Sequence, residues 1–317
     1  MIQVANIVLP VFGLVVLGYI AGRAGWIKQA AIEGLSTFVF TFAIPVMLFR
    51  GIADAQLPAH MPWHFLLAYY SSTLMLYGLT MLLGRGFGLR NAEPAIFAMS
   101  GSYSNVVLLG IPLTIASFDE GARIPLFIVV STHAAIMFLV TTFSAEVGKG
   151  EFEKLGSLPL QTARVLLKNT IVVGLLLGLG VNLTGLHLPG LVDKMAAYLA
   201  GAALPCAVFS MGASISQYRI SGDIGKITAA VVIKNLMHPV LVWIACTRIF
   251  HVPADWSAVA ILLAACPTGV NAYLFANRYR VIVASTATTV VISTLVSIAV
   301  LSLCLGWLIP LYQGAGQ

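Results

Sequence analysis

Ten apolar stretches, each about as long as a membrane-spanning helix, alternate with short polar segments along the chain. A helix needs about 20 apolar residues to cross the ~30 Å hydrocarbon core of a bilayer. The pattern therefore predicts an all-α membrane protein with ten transmembrane helices, called spans one to ten below. They cover residues 2–22, 32–52, 63–84, 94–117, 123–145, 166–186, 194–216, 225–250, 256–277 and 283–311.

The composition fits a bilayer as the main solvent. Of the 317 residues, 59% are hydrophobic and 9% are charged, whereas soluble domains carry about 25% charged residues. Residues 2–22 lack a basic n-region and a small-residue cleavage site, so a retained helix is expected instead of a signal peptide. The net charge of +6 is not gathered in a basic cluster, so no nucleic-acid partner is expected.

The distribution of Lys and Arg predicts the orientation. With the N-terminus outside, the inward-facing loops and span ends hold most of the cations, and both termini are then expected in the periplasm of a bacterial inner membrane. The inward-facing cations are Arg23, Lys28, Arg85, Arg90, Lys149, Lys154, Arg164, Lys168, Arg219, Lys226, Arg278 and Arg280. The outward-facing ones are Arg50, Arg123, Lys194 and Arg248.

The longest connection, from Glu146 to Arg164, divides the chain into residues 1–150 and 151–317, with five spans each. An odd number of spans makes the second half enter the membrane from the opposite side, which predicts an inverted repeat. Four residues of span two recur in span seven at a constant offset of 160: Ala43, Pro45, Phe49 and Ala53 correspond to Ala203, Pro205, Phe209 and Ala213.

Spans four and nine are both interrupted in mid-membrane. Span four carries Asn105, Gly110 and Pro112, and span nine carries Pro267, Gly269 and Asn271. Proline breaks the helical hydrogen bonding, and paired breaks at equivalent positions of two halves indicate a transporter's binding site.

Asn105 and Pro267 each lie roughly 16 Å into their spans, near the midplane. Half-helix N-termini and asparagine amides at that depth are suited to a carboxylate. The alternative is that both breaks are ordinary proline kinks. Each asparagine would then form hydrogen bonds with the carbonyls left without a partner at the kink in its own helix.

Three basic side chains also lie within predicted spans. Lys234, roughly 13 Å deep, is expected to attract an anion or hold the carbonyl end of a broken helix, or else to reach the headgroups. His133 and His238 are candidates for ion coupling, with hydrogen-bonded interior histidines as the alternative. No Asp or Glu has to lie near the membrane centre, which argues against a cationic substrate.

The motifs resemble those of the auxin efflux carrier family, whose bacterial members include malonate and other organic-acid carriers. Asn105-x4-Gly110-Ile-Pro112-Leu is similar to that family's fourth-helix motif. Ala264-Ala-x-Pro267-x-Gly269-Val, followed by Phe275-Ala276-x-x-Tyr279, is similar to its ninth-helix motif. The resemblance covers the whole chain in length and span count.

The resemblance implies two inverted five-helix repeats, similar to the bile acid:sodium symporter fold. Helices one, two, six and seven would form a scaffold that often dimerises, and helices three to five and eight to ten a transport domain. Helices four and nine would cross at Pro112 and Pro267. Substrate would bind beside that crossing, and the transport domain would move as an elevator.

We therefore expect a secondary transporter of small organic anions, carboxylates such as malonate or auxin-like acids. The alternative is a membrane receptor that binds an anion without moving it. The absence of a Walker A loop argues against an ATP-driven pump, and without an HExxH motif or a nucleophile with a paired base an enzyme is not expected. Neither a cofactor nor a metal site is expected, and coupling to H⁺ or Na⁺ is left open, as are the acid and the direction of transport.

Overall fold

A computed structural model describes residues 2–57, 62–150, 156, 158–186 and 188–315. Within these residues the regular structure is helical, and one isolated antiparallel bridge joins Ser104 to Thr268. The α-helices are α1 Ile2–Arg23, α2 Gln29–Phe38, α3 Ile44–Ala53, α4 Trp63–Gly86, α5 Glu93–Ser102, α6 Ile111–Ser117, α7 Arg123–Lys149, α8 Leu158–Leu167, α9 Thr170–Thr184, α10 Gly190–Ile215, α11 Ile224–Val232, α12 His238–Ile244, α13 Ala254–Ala265, α14 Asn271–Tyr279 and α15 Val283–Ala315. Short π-helical segments cover Val39–Ala43, Val106–Gly110, Ile233–Met237 and Ala245–Ile249, and a 3₁₀ turn covers Glu120–Ala122.

Seven helical stretches of the described chain are long and apolar enough to cross a membrane. They are Ile2–Arg23, Gln29–Ala53, Trp63–Gly86, Glu120–Lys149, Gly190–Ile215, Ile224–Ile249 and Val283–Gly314. Three shorter apolar helices, Val106–Ser117, Thr170–Thr184 and Ala254–Ala265, fall in predicted spans four, six and nine. The prediction of a helical, multi-pass membrane protein is confirmed, and the count of ten spans stays a prediction.

The connection predicted from Glu146 to Arg164 is partly helical. Helix α7 continues to Lys149, and Leu158–Leu167 forms the separate helix α8. Span six begins at Thr170 instead of residue 166, because the Asn169 side chain caps α9 by accepting a hydrogen bond from the Ile171 N–H at 2.9 Å. The predicted boundary between the two halves of the chain follows residue 150. The next residues, 151–155, which include Lys154, lie outside the described residues.

Glycines allow two pairs of helices to pack backbone to backbone. A Cβ atom at Gly18 of α1 would meet the Phe209 carbonyl of α10, and one at Gly178 of α9 would meet the Phe49 carbonyl of α3. Adding 160 to Gly18 and to Phe49 gives Gly178 and Phe209, so one contact repeats the other with the halves exchanged. Small residues at such crossings let transmembrane helices approach closely.

The two pairs also define which helix ends share a membrane face. In α1 and α10, contacts advance along both chains in the same direction, from Val15 beside Gly212 to Gly22 beside Ser216. Contacts between α3 and α9 likewise advance from Pro45 beside Gly174 to Phe49 beside Gly178. Both pairs are therefore parallel. The end of α1, the end of α10 and the start of α9 lie toward one face, because only five residues separate the end of α1 from the start of the helix Gln29–Ala53 that contains α3.

Helices α5 and α13 form the centre of the molecule. Every residue from Pro94 to Ser102 and from Ser257 to Ala265 is buried. A helix that is buried all round has protein instead of solvent or lipid on every side. The C-terminal ends of α5 and α13 meet at the bridge between Ser104 and Thr268, and the candidate site lies at this meeting point.

Candidate functional site

The two interrupted segments meet and satisfy each other's backbone. The Asn105 N–H donates to the Pro267 carbonyl, and the Gly269 N–H donates to the Tyr103 carbonyl, both at 2.9 Å. Tyr103–Asn105 and Pro267–Gly269 thus form a minimal antiparallel ladder between broken helices. Helix α13 has 12 residues, about 18 Å of rise, so the ladder lies near the middle of a bilayer. Backbone groups at that depth need partners within the protein, and the ladder supplies them.

One side chain on each flanking helix accepts a further N–H of the ladder. His133 Nε2 on α7 accepts from the Ser104 N–H at 3.1 Å, and Ser293 Oγ on α15 accepts from the Thr268 N–H at 2.9 Å. His133 and Ser293 are 160 residues apart, the offset already seen in spans two and seven. Sequence reasoning missed Ser293, although this offset from His133 was the signal that could have found it.

The glycines of the two motifs serve close packing. A Cβ atom at Gly269 would overlap the Tyr103 ring, and one at Gly110 would approach Leu263 of α13. Pro112 lies two residues after the π-helical turn Val106–Gly110, within the continuous helix Val106–Ser117, and its missing N–H interrupts the helical hydrogen bonding there. Gly110 and Pro112 therefore shape the restart of span four after its break.

Lys234 holds the end of a broken helix. Its side chain is fully buried, and its Nζ donates to the carbonyls of Ala264 at 2.7 Å and Cys266 at 2.6 Å. These carbonyls belong to the C-terminal end of α13, where helix acceptors lack partners and the dipole favours a cation. Of the expected roles of Lys234, this geometry corresponds to the helix-end role.

The two buried histidines are hydrogen-bonded inside the bundle. Because His133 Nε2 accepts an N–H, a neutral ring carries its proton on Nδ1. The Thr73 hydroxyl donates to the Tyr69 carbonyl at 2.7 Å, so His238 Nε2, 3.0 Å from that hydroxyl oxygen, is the donor in this pair. Neither Nδ1 atom has a partner within the described residues. Ion coupling through either ring stays a prediction.

A cavity of about 490 Å³ lies beside the ladder. Asn105 and Asn271 both line it, and so does Gly269. The Asn271 amide donates to the Tyr103 hydroxyl at 2.8 Å, while Asn105 Oδ1 accepts from the Leu108 N–H at 3.2 Å. The other lining residues are Ser36, Phe40, Tyr103, Ser104, Val106, Val107, Leu108, Val130, Ser131, Ala134, Phe138, Lys168, Asn169, Thr170, Ile171, Val172, Ser210, Met211, Ser214, Val270 and Leu274.

The predicted site residues therefore fall into two groups. Asn105, Gly269 and Asn271 face the cavity. The other predicted site residues contribute nothing to the described lining: Gly110, Pro112, Pro267, Lys234, His133 and His238.

The described lining favours an anion. Lys168 is its one cationic residue, and no described lining residue is acidic. The backbone N–H groups of Val270 and Asn271, at the start of α14, have no hydrogen-bond partner among the described residues. Free N–H groups at a helix start bind anions. Sequence reasoning counted Lys168 only as a loop cation, because its place at the cavity depends on how α9 packs.

Nothing in the described part of the chain suggests a metal centre. No group of three or more His, Cys, Asp or Glu side chains there is arranged to hold a metal ion. All four cysteines are unpaired. The chemistry open to this cavity is accordingly binding through amides, hydroxyls, backbone N–H groups and one ammonium.

Comparison with known proteins agrees with the geometry. A family described as "Membrane transport protein" matches residues 3–305. The "Putative malonate transporter" of Rhizobium meliloti (strain 1021) is 28% identical over 94% of both chains. An uncharacterized transporter of Methanocaldococcus jannaschii is 20% identical over 96% of this chain and 98% of its own. The lysosomal cholesterol signaling protein of Mus musculus is 24% identical over 91% of this chain, which spans 36% of that protein.

The match covers nearly the whole chain and agrees with the resemblance found in the two helix-break motifs. Relatives named as transporters also place the protein among carriers instead of enzymes. The chain belongs to the auxin efflux carrier-like family of membrane transport proteins.

Proposed function

We propose that the protein is a secondary transporter of small carboxylates, with malonate and similar dicarboxylates as the first candidates. The observation that carries this proposal is the cavity beside the ladder, whose described lining has one cationic and no acidic residue. The name of the Rhizobium meliloti relative supports the choice of malonate. Auxin-like aromatic acids are also carboxylates and stay among the candidate substrates.

The carboxylate would bind where α14 starts. The free N–H groups of Val270 and Asn271 and the amides of Asn105 and Asn271 offer donors there. Hydrogen bonds to a charged group contribute about 1.5–3 kcal/mol each. Lys168 precedes α9 at the membrane face, and α14 rises about 14 Å over its nine residues between the ladder and that face. Lys168 would therefore attract anions at the mouth of the cavity instead of touching the bound molecule.

An elevator movement is the alternating-access mechanism that we propose. The cavity lining draws on two groups of elements: α2, α9 and α10 form the first, and α7, α14 and the segment after α5 form the second. We propose that the first group belongs to the scaffold and the second to the transport domain. The contacts related by an offset of 160 support two inverted five-helix repeats and hence ten spans. We further propose a homodimer in the bacterial inner membrane with periplasmic termini.

Counterflow into proteoliposomes tests the function. Vesicles are preloaded with one carboxylate from a panel that includes malonate and indole-3-acetate, and uptake of the labelled acid is followed with and without pH or sodium gradients. We expect accumulation with at least one acid. A lack of exchange with every acid, from protein that one of them still stabilises against heat, would instead support an anion receptor.

Asparagine variants test the site. Asn271→Ala and Asn105→Ala are expected to lower uptake at limiting substrate by about tenfold or more, because each removes a donor to a charged group. Asn277→Ala is the matched control, since Asn277 is exposed on the same helix and lies outside the cavity lining. Wild-type uptake by both cavity variants would contradict this site.

A further inference from the structure

A second cavity, of about 430 Å³, lies where α1 ends and the chain leaves α10. We call it the arginine groove. It is lined by Tyr19, Gly22, Arg23, Ser216, Gln217, Tyr218, Arg219 and Ile220. Because α1 and α10 run parallel, both arginines belong to the same membrane face. The groove is separate from the cavity beside the ladder and shares no lining residue with it.

The groove carries two positive charges that have no counterion among the described residues. Arg23 and Arg219 are both exposed, and neither forms an ion pair within the described residues. No lining residue is acidic. Guanidinium groups match the oxygen geometry of phosphate and bind it through paired hydrogen bonds. Two of them at one groove are suited to a phosphate group.

The surroundings of the groove favour a lipid as the source of that phosphate. It opens at the end of a membrane-spanning helix, and its lining includes Tyr19, 37% exposed, and Ile220, 66% exposed. Two further apolar side chains lie close in sequence, Trp26 at 71% and Ile224 at 79% exposed. Aromatic residues together with Arg are typical of the headgroup level of a bilayer, where a soluble anion would meet an unfavourably apolar rim.

The groove also contacts the helix that begins at the candidate carboxylate site. The Tyr218 ring lies against the Tyr273 ring of α14, with ring centroids 4.4 Å apart. Tyr273 follows Asn271 by two residues. A molecule bound in the groove would therefore sit beside a contact between α14 and the segment that follows α10.

We propose that the arginine groove binds the phosphate of an anionic phospholipid headgroup. The groove would anchor one lipid at the face where α1 and α10 end. The proposal rests on the groove's charges and position, and it does not depend on which substrate the protein carries.

Lipid binding to the purified full-length protein tests this. Native mass spectrometry counts bound phosphatidylglycerol and, in parallel, bound phosphatidylcholine. We expect wild type to retain phosphatidylglycerol selectively, and Arg23→Gln/Arg219→Gln to lose affinity for it by on the order of thirtyfold, because each arginine near a lipid surface contributes separately. Arg85→Gln is the matched control: it removes one exposed arginine outside the groove and should bind as wild type does.

The single variants Arg23→Gln and Arg219→Gln keep the test usable if the double variant fails to fold, as judged by size-exclusion elution. Each is then expected to weaken phosphatidylglycerol binding on the order of fivefold. Unchanged binding by folded double or single variants would overturn the proposal. Thermal stabilisation by inorganic phosphate, matched against chloride and accompanied by displacement of phosphatidylglycerol, would assign the groove to a soluble anion and overturn the lipid assignment.

Discussion

Lys234 illustrates how a charged residue is accommodated at membrane depth. Its ammonium is fully buried, yet it donates to two carbonyls at the end of α13. The π-helical segment Ile233–Met237 contains it, and such segments are frequent at functional sites. A cation placed on carbonyls is partly neutralised by them, so Lys234 can fix the shape of the proposed carboxylate site without binding the carboxylate.

Lys234→Met is therefore expected to destabilise the protein. It leaves the carbonyls of Ala264 and Cys266 without this donor, and a buried unpaired acceptor costs about 1–3 kcal/mol. We expect the midpoint of thermal unfolding in detergent to fall, whereas Lys28→Met, at an exposed lysine, leaves it unchanged. A variant as stable as wild type but with weakened carboxylate affinity would instead indicate that Lys234 attracts the substrate directly.

At the scale of elements, glycine contacts hold the helix pairs that carry the cavity wall. Gly18 and Gly22 of α1 pack on α10, and Gly174 and Gly178 of α9 pack on α3. The spacing of four residues places each pair of glycines on one helix face. Since lipid tails are as apolar as leucine, close backbone packing of this kind drives helix association in membranes.

Substituting alanine for a glycine at a contact between α1 and α10 should push these two helices apart. A Cβ atom at Gly212 of α10 would overlap the Val15 carbonyl, so Gly212→Ala is expected to lower thermal stability, by about 1–3 kcal/mol for overpacking. Gly201→Ala lies on the same helix with nothing within 4 Å of its Cβ position. Alanine is the better helix former, so this control should be neutral or stabilising. Equal effects of the two changes would refute packing as the cause.

At the scale of the whole molecule, the proposed transport cycle involves the two groups of elements that line the cavity. In the proposed elevator movement, one group would stay in place while the other carries the ladder and the proposed carboxylate site across the membrane. Contacts across the boundary must then break in each cycle. The ring contact between Tyr218, three residues after the end of α10, and Tyr273 of α14 lies next to that boundary.

A reversible cross-link between Tyr218→Cys and Tyr273→Cys should stop transport, and reduction of the cross-link should restore it. The background replaces Cys206, Cys246, Cys266 and Cys304 by alanine. Phe87 and Phe97, with ring centroids 6.0 Å apart, lie within the expected transport domain and supply the control pair, whose cross-link should leave counterflow intact. Full transport by the cross-linked Tyr218–Tyr273 pair would exclude an elevator movement at this boundary.

The local sequence by itself determined that the apolar segments are helical and where two of these helices are interrupted. Apolar stretches of membrane length predict helices, because every backbone group in lipid must be paired within its own segment. Pro112, Pro267 and their glycines act on their own helices, so the interruptions near Asn105 and Pro267 were predictable. Helix α8 was missed, because its ten residues are too few and too polar for a pattern of membrane-length stretches.

The tertiary structure alone decided which groups meet across the molecule. Lys234 reaches carbonyls some 30 residues away, Ser293 pairs with Thr268, and Lys168 lies at the cavity. Each depends on packing between helices that are distant in the chain. Hydrophobicity determines that a segment enters the membrane but leaves its rotation and neighbours undetermined, since lipid and protein interior are equally apolar. Contacts between glycines and backbone carbonyls, and the ladder at the break, supply that specificity.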